Sequence, residues 1–465
     1  MRLGESIRFW LKGGLVVVMT LVILIPLAMI GGVIEERQQY RQRAVAEIAR
    51  SYAGAQAFAG PVLVVPYSDR VRVREKGEDG VVREVERDVE GQWTFFPATL
   101  EVGGTLRPSV RRLGLHEVRV YEWQAEARAR FDAAIPHDDD PTSPRTLGEP
   151  WLSYGVADVR GLVAMPRLRI DGIAADLQEG FGARAAPGVH ARLPVPQPGQ
   201  RLRLDTALAF TLGGTESLAL VPLGKTNMFA IGARWPHPRF GGSFLPRERR
   251  IDAGGFRAQW QIAAVASGAQ SQFLQGTTLP GTDCMQREQA AGHAPDVAER
   301  CALDPVTVSL VDPVNAYSQA DRAIKYGVLF VLLTFVGFFL FELIKQLPVH
   351  PIQYALVGLA IAIFFLLLVS LSEHIAFGWA YLVASVACIG LIGFYLAAVL
   401  RSALRGAGFA AMLATLYAAL YGLLLSEDNA LLLGSGLLFV VLAAIMTVTR
   451  RVDWYRLGGR EPQVA

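Results

Sequence analysis

The sequence predicts an α-helical multi-span membrane protein with a large inserted β-rich, sandwich-like extracytoplasmic domain. Three observations lead there. Residues Ala323 to Thr449 are almost free of charge, whereas Glu35 to Arg322 has the mixed composition of a soluble domain. The apolar stretches are about 20 residues long, the length a helix needs to cross a hydrocarbon core of about 30 Å. Between the first stretch and the rest, short runs of β-branched and aromatic residues are punctuated by Gly, Pro and Asp, as in a β-sandwich.

The first element is the apolar run Leu11–Ile34, opened by Arg2, Arg8 and Lys12. It is long for a signal-peptide core and no small-residue cleavage site follows it directly, so residues 1–34 are expected to form an uncleaved signal-anchor helix. Residues 35–59 are rich in helix formers, with Glu35 and Glu36 preceding Arg37, Gln39 and Arg41 on neighbouring turns. They predict a polar helical stalk. Gly60-Pro61 then marks the change to a β-rich domain over 60–322, long enough for two lobes. Its strand candidates include Val62–Val65, Trp93–Phe96, Val118–Trp123, Arg201–Leu204 and Val306–Leu310. His137–Pro144 is expected to be an exposed loop between lobes.

Five further apolar runs, Ile324–Ile344, Pro351–Leu371, Ala376–Leu400, Gly406–Ser426 and Ala430–Thr449, predict a helical bundle over 323–449, followed by a tail over 450–465. No backbone amide can go unpaired in lipid, so such runs must be helical. Short loops that carry Lys or Arg stay on the cytoplasmic side. Lys345, Arg401 with Arg405, and the Arg450, Arg451, Arg456 and Arg460 group alternate with Ser372-Glu373-His374 and Ser426-Glu427-Asp428-Asn429, which have neither. The expectation is six spans with both termini cytoplasmic and the β-rich domain periplasmic.

Composition narrows the chemistry. The chain is 52% hydrophobic and 19% charged, and a net charge of +3 without a basic, aromatic-interleaved stripe gives no case for nucleic acid. Neither the His-Glu-x-x-His nor the Gly-x-Ser-x-Gly pattern occurs, and the 7 histidines are not paired at ligand spacing. No catalytic residue, cofactor or metal site is therefore expected. Gly224-Lys225-Thr226 has Ala219 where a phosphate loop needs its first glycine, so it predicts a turn between strands.

Several stretches, in order, resemble one family. They include Ile34-Glu35-Glu36-Arg37, Gly60-Pro61, Asp158-Val159-Arg160-Gly161 and Gly188-Val189-His190. Trp235-Pro236-His237-Pro238, Phe244-Leu245-Pro246 and Gly255–Trp260 are the most distinctive. Asp321-Arg322-Ala323-Ile324-Lys325-Tyr326, His350–Tyr354, Leu371-Ser372-Glu373-His374, Leu431–Gly434 and Asp453-Trp454-Tyr455 complete the set. The chain resembles the CreD family, the cell envelope integrity proteins of the bacterial inner membrane. The resemblance implies a role in envelope integrity under a two-component sensor system, and no reaction. Gly268–Leu303 departs from the family pattern.

The residues singled out for recognition are Trp235, His237, Asp158, Arg160, Asp321, Arg322, Glu373 and His374. Two prolines make Trp235–Pro238 a rigid turn. A structural corner with Trp235 in the core is favoured over a loop that presents the indole and the His237 imidazole. Glu373 and His374 are expected to converge with Glu427 and Asp428 on the outer side of the bundle, where ordinary solvated loop residues are favoured over a small polar cluster facing the β-rich domain. Cys284 and Cys301 lie where disulfides persist and are expected to pair, while Cys388 is a packing residue inside a span. Glu342, near the inner end of its span, can reach the surface beside Lys345. The expected partners are the lipid bilayer and an unknown periplasmic protein, lipid or cell-wall component. The alternative reading is a transporter or lipid-handling protein with a groove in the bundle.

Overall fold

The computed structural model describes residues 3–76, 82–114, 116–138, 145–182, 184–280, 303–310, 316–345, 350–426 and 430–450. The chain divides into two compact units: Met1–Arg41 with Val314–Ala465, and Gln42–Pro313.

In the first unit, helix α1 (Leu3–Ser51) brings its apolar part, and α3 (Ala316–Lys345), α4 (Pro351–Ser372), α5 (Phe377–Val399), α6 (Ala403–Leu425) and α7 (Ala430–Thr449) complete it; the short α2 (Ala269–Leu274) belongs to the second unit. Among the described residues, five helices are long and apolar enough to cross a membrane: Val17–Ser51, Gln319–Phe339, Pro351–Ser372, Phe377–Val399 and Ala403–Leu425. The sixth expected span falls on α7, whose described apolar run, Leu432–Thr447, is shorter than these.

Ile23, Leu27, Ile30 and Ile34 recur on one face of α1 and are buried with Phe335, Phe338, Phe364 and Phe365. Gly358 admits them: a Cβ there would lie 2.6 Å from Ile23 and 2.7 Å from Phe335. The start of α4 is written in its sequence. Pro351 occupies the first turn, His350 is the N-cap, and the Gln353 side chain accepts from the His350 N–H at 3.1 Å, closing a capping box.

The second unit is a two-sheet β structure. The first sheet has the order β14 (Pro238–Gly242), β17 (Val306–Leu310), β12 (Ser217–Val221), β1 (Gln56–Lys76), β6 (Trp151–Val156), β10 (Arg184–Arg192), β9 (Gln178–Phe181), with β2 (Val82–Phe95) and β5 (Thr146–Leu147) also on β1. The second runs β15 (Glu248–Asp252), β16 (Gly255–Ala263), β13 (Thr226–Ala233), β3 (Thr99–Leu113), β4 (His116–Ala134), β11 (Arg201–Thr215), β7 (Arg167–Ile170), β8 (Ile173–Ala175). Both sheets are mixed: β1 with β12 and β3 with β13 are parallel pairs among antiparallel ones.

Alternation along β4 sends Tyr121, Trp123, Ala125, Ala127, Ala129, Phe131 and Ala133 inward. They share one core with Phe58, Leu63, Leu152, Tyr154, Leu218 and Val308 of the first sheet. One interior thus serves both sheets, where the sequence left room for two lobes; His137–Pro144, expected between lobes, lies largely outside the described residues.

The stalk differs in length from expectation. α1 ends at Ser51 and β1 begins at Gln56, ahead of the 59/60 boundary. Gly60-Pro61, read as the break, sits inside β1 instead. The register with β6 shifts between Ala59 and Val62, and Gly60 takes φ +110 there. A Cβ at Gly60 would lie 2.8 Å from the Ser153 carbonyl, so only glycine fits the bulge.

Candidate functional site

The four sequence-predicted pairs do not gather into one cluster. Asp158 with Arg160 and Trp235 with His237 belong to the β unit; Asp321 with Arg322 and Glu373 with His374 belong to the helical unit.

Asp158 and Arg160 build a clasp around the C-terminal end of α1. Asp158 caps the 3-10 turn Val159–Gly161 by accepting from the Arg160 N–H. Its carboxylate also takes two bonds from the Arg160 guanidinium, at 2.9 and 2.6 Å, and one from the Gly54 N–H at 3.1 Å. The guanidinium's remaining arm donates to the Arg50 carbonyl at 2.6 Å, in the last turn of α1. There it meets carbonyls that have no partner within the helix, at the negative end of the helix dipole. Burial by itself would raise the Asp158 pKa, but the hydrogen bonds from Arg160 and Gly54 outweigh it and hold the carboxyl below its usual value.

Behind the clasp lies Gln56, only 1% exposed. Its amide donates to the Asp158 carbonyl at 2.8 Å and the Gly213 carbonyl at 3.0 Å, and accepts from the Asp158 N–H at 3.2 Å. The Thr215 hydroxyl donates to the Ala53 carbonyl at 2.6 Å. Each polar group here answers another, so the clasp fixes a helix end to strands; it does not present reactive groups.

The Trp235 corner is partly buried, against the rim of the core. Its indole N–H donates to the His237 carbonyl at 3.0 Å, and the Arg119 guanidinium lies 3.9 Å from its ring centroid. His237 is exposed. The neighbours of Arg119 on β4, Val118 and Val120, point to the opposite face and are buried with Ile48 of α1. One short stretch of β4 therefore carries the α1 end on one face and the Trp235 corner on the other.

In the helical unit, Glu373 is 11% exposed at its side chain and pairs with Arg37 of α1 at 3.3 Å. His374 is exposed. Glu427 and Asp428, expected beside them, lie outside the described residues, as do Cys284 and Cys301. Asp321 pairs with Lys325 one turn on, at 2.7 Å, and Arg322 is half-buried beside it in α3. Glu342 does not reach the surface as its distance from Lys345 allowed. It is 6% exposed and accepts from the Tyr354 hydroxyl at 2.7 Å. Cys388 is buried, donates to the Ala360 carbonyl at 3.3 Å and lies 3.1 Å from the Tyr417 hydroxyl. Gly224-Lys225 is a turn between β12 and β13, held by the Asn227 amide.

Sequence reading missed Gln56, Arg50 and Arg119. An isolated glutamine between alanines has no motif, and its partners lie 102 and 157 positions away.

The model of the family described as inner membrane protein CreD matches residues 8–455. The inner membrane protein CreD of Escherichia coli (strain K12) is 33% identical over 440 residues, covering 94% of this chain and 91% of that one. Among solved structures, an M1 zinc metallopeptidase mutant of Deinococcus radiodurans shows 10% identity over 36% of this chain and 39% of its own, with a TM-score of 0.18. Yeast LTA4 hydrolase shows 9% identity over 37% of this chain and 27% of its own, with a TM-score of 0.15. At those scores neither likeness bears on fold or activity.

Proposed function

Because the chain belongs to the CreD family of inner membrane proteins, we propose that it contributes to the integrity of the bacterial cell envelope without catalysing a reaction. In this reading the β unit is periplasmic and binds an envelope component: a protein, a lipid or a piece of the cell wall. Six helices cross the membrane, both termini are cytoplasmic, and synthesis is under a two-component sensor system.

The observation that carries the reading is the foot of α1. One unbroken helix contributes Ile23, Leu27, Ile30 and Ile34 to the core of the helical unit and Ile48 to a cluster on β4, and its last turn is clasped by Arg160. The clasp ties the C-terminal turn of α1 into the β unit. The charge alternation of the short loops supports the orientation. The E. coli relative is described as an inner membrane protein and by no reaction.

The test is complementation. Cells lacking the chain should leak a periplasmic marker under detergent stress. The wild-type chain should restore tightness, and Gln56→Leu should restore it less at equal membrane abundance. Unchanged leakage in cells lacking the chain, or full rescue by the helical unit alone, would refute the proposal.

A further inference from the structure

A groove of about 750 Å3 opens on the outer surface between α5 and α6. Gly378, Trp379, Ser385, Ile389, Ala414 and Tyr421 are among the residues that form it. From Ala376, just before α5, to Ile389 it spans about 20 Å at a rise of roughly 1.5 Å per residue. That is more than half of a hydrocarbon core of about 30 Å, so a groove that starts at one end of the span reaches past its middle.

Its lining changes along that length. At the outer end Trp379 is 66% exposed, and the Tyr421 hydroxyl lies 3.0 Å from where a Cβ on Gly378 would be. Such amphipathic rings belong at the headgroup level of a bilayer. Deeper in, the wall is Leu382, Val386 and Ile389 on α5, facing the small Ala414 on α6. The gradient from aromatic and hydroxyl to plain hydrocarbon matches a lipid lying along its own leaflet.

α5 and α6 touch directly beneath the groove, where the Tyr381 hydroxyl donates to the Tyr417 carbonyl at 2.7 Å. Farther along, a Cβ on Gly406 would lie 2.7 Å from Ala397. Two helices in such contact leave a shallow furrow along their seam, and its lining of Leu382, Val386, Ile389 and Ala414 offers a hydrocarbon chain an apolar bed.

We propose that this groove holds one acyl chain of a glycerophospholipid as a resident ligand, taken from the surrounding bilayer, with its headgroup beside Trp379. The inference does not depend on the function proposed above.

The test uses the full-length protein in vesicles of a phospholipid that carries a photoreactive diazirine in one acyl chain, with adduct positions mapped by mass spectrometry. Adducts should concentrate on Leu382, Val386, Ala414 and Ala418. Ala414→Phe with Ala418→Phe should lower them by about tenfold, while Leu391→Phe, on a different exposed face of α5, should leave them unchanged. Both alanines are exposed, so the fillers do not enter the core. Adducts spread evenly over Leu359, Leu391 and the groove, or unaffected by the filled groove, would overturn the proposal. Crosslinks from the groove to a second copy of the chain would overturn it as well.

Discussion

Arg160 joins the Arg50 carbonyl at 2.6 Å to the Asp158 carboxylate, and so ties the last turn of a membrane-anchored helix to a loop 110 residues away. The loop is short of regular structure, yet Gln56 and Gly54 pin it from behind. The end of the stalk is therefore held by polar contacts that answer its last-turn carbonyl, beside the apolar contact of Ile48 with Val118 and Val120.

The joint should respond to acid. Asp158 has its native pKa below the ordinary carboxylate value of about 3.9, so its stabilisation is complete above about pH 4 and is lost as pH falls through the lower native value. Asp158→Asn should cost about 2 kcal/mol at pH 7, the size of charge-assisted hydrogen bonds lost. Thermal unfolding of the full-length protein in detergent should show the gap between wild type and variant closing below about pH 4.

Gln56→Leu should be more damaging than a surface change. It removes the bonds that Gln56 makes to the Gly213 carbonyl, the Asp158 N–H and the Asp158 carbonyl, of which the last keeps the Gly161 N–H at 3.1 Å. A loss of about 3 kcal/mol is expected, and Gln56→Glu should not recover it at neutral pH, because its carboxylate would be buried facing the Asp158 and Gly213 carbonyl oxygens. Urea unfolding followed by tryptophan fluorescence measures both.

Trp123 is fully buried and meets Phe58 and Phe210 edge-on at 6.2 and 5.3 Å. Trp123→Ala should cost about 3–5 kcal/mol, and limited proteolysis should then cut the β unit while the helical unit stays protected. Equal protection of both units in the variant would contradict the shared core.

Tyr354 and Glu342 form a buried pair between α3 and α4. A double-mutant cycle with Tyr354→Phe and Glu342→Gln should give a coupling of about 0.6 kcal/mol, and under about 1.7 kcal/mol, as for hydrogen bonds inside other membrane bundles. Additive effects of the two changes would show that the pair does not matter to the bundle.

How much of this was legible in the sequence follows from which signals are local. Hydropathy marks the helices because lipid forces whole runs to pair their own amides, and the spans fall where the apolar runs do. β17 falls on Val306–Leu310 because its alternation is local too. The parallel pairings β1 with β12 and β3 with β13 were not legible, since partners at such separations leave no mark on either strand. Gly60-Pro61 misled because a bulge inside a strand and a break between elements use the same residues. Of the candidate site, Asp158 and Arg160 were found through a family resemblance, whereas Gln56, which holds them, shows only in three dimensions.

The proposed role requires the β unit to lie outside the cytoplasm. Alkaline phosphatase fused after Gln200, in the loop before β11, should be active, and the same enzyme fused after Arg450 should be silent. A silent fusion at Gln200 with an active one at Arg450 would place the binding unit on the wrong side and contradict the proposed role.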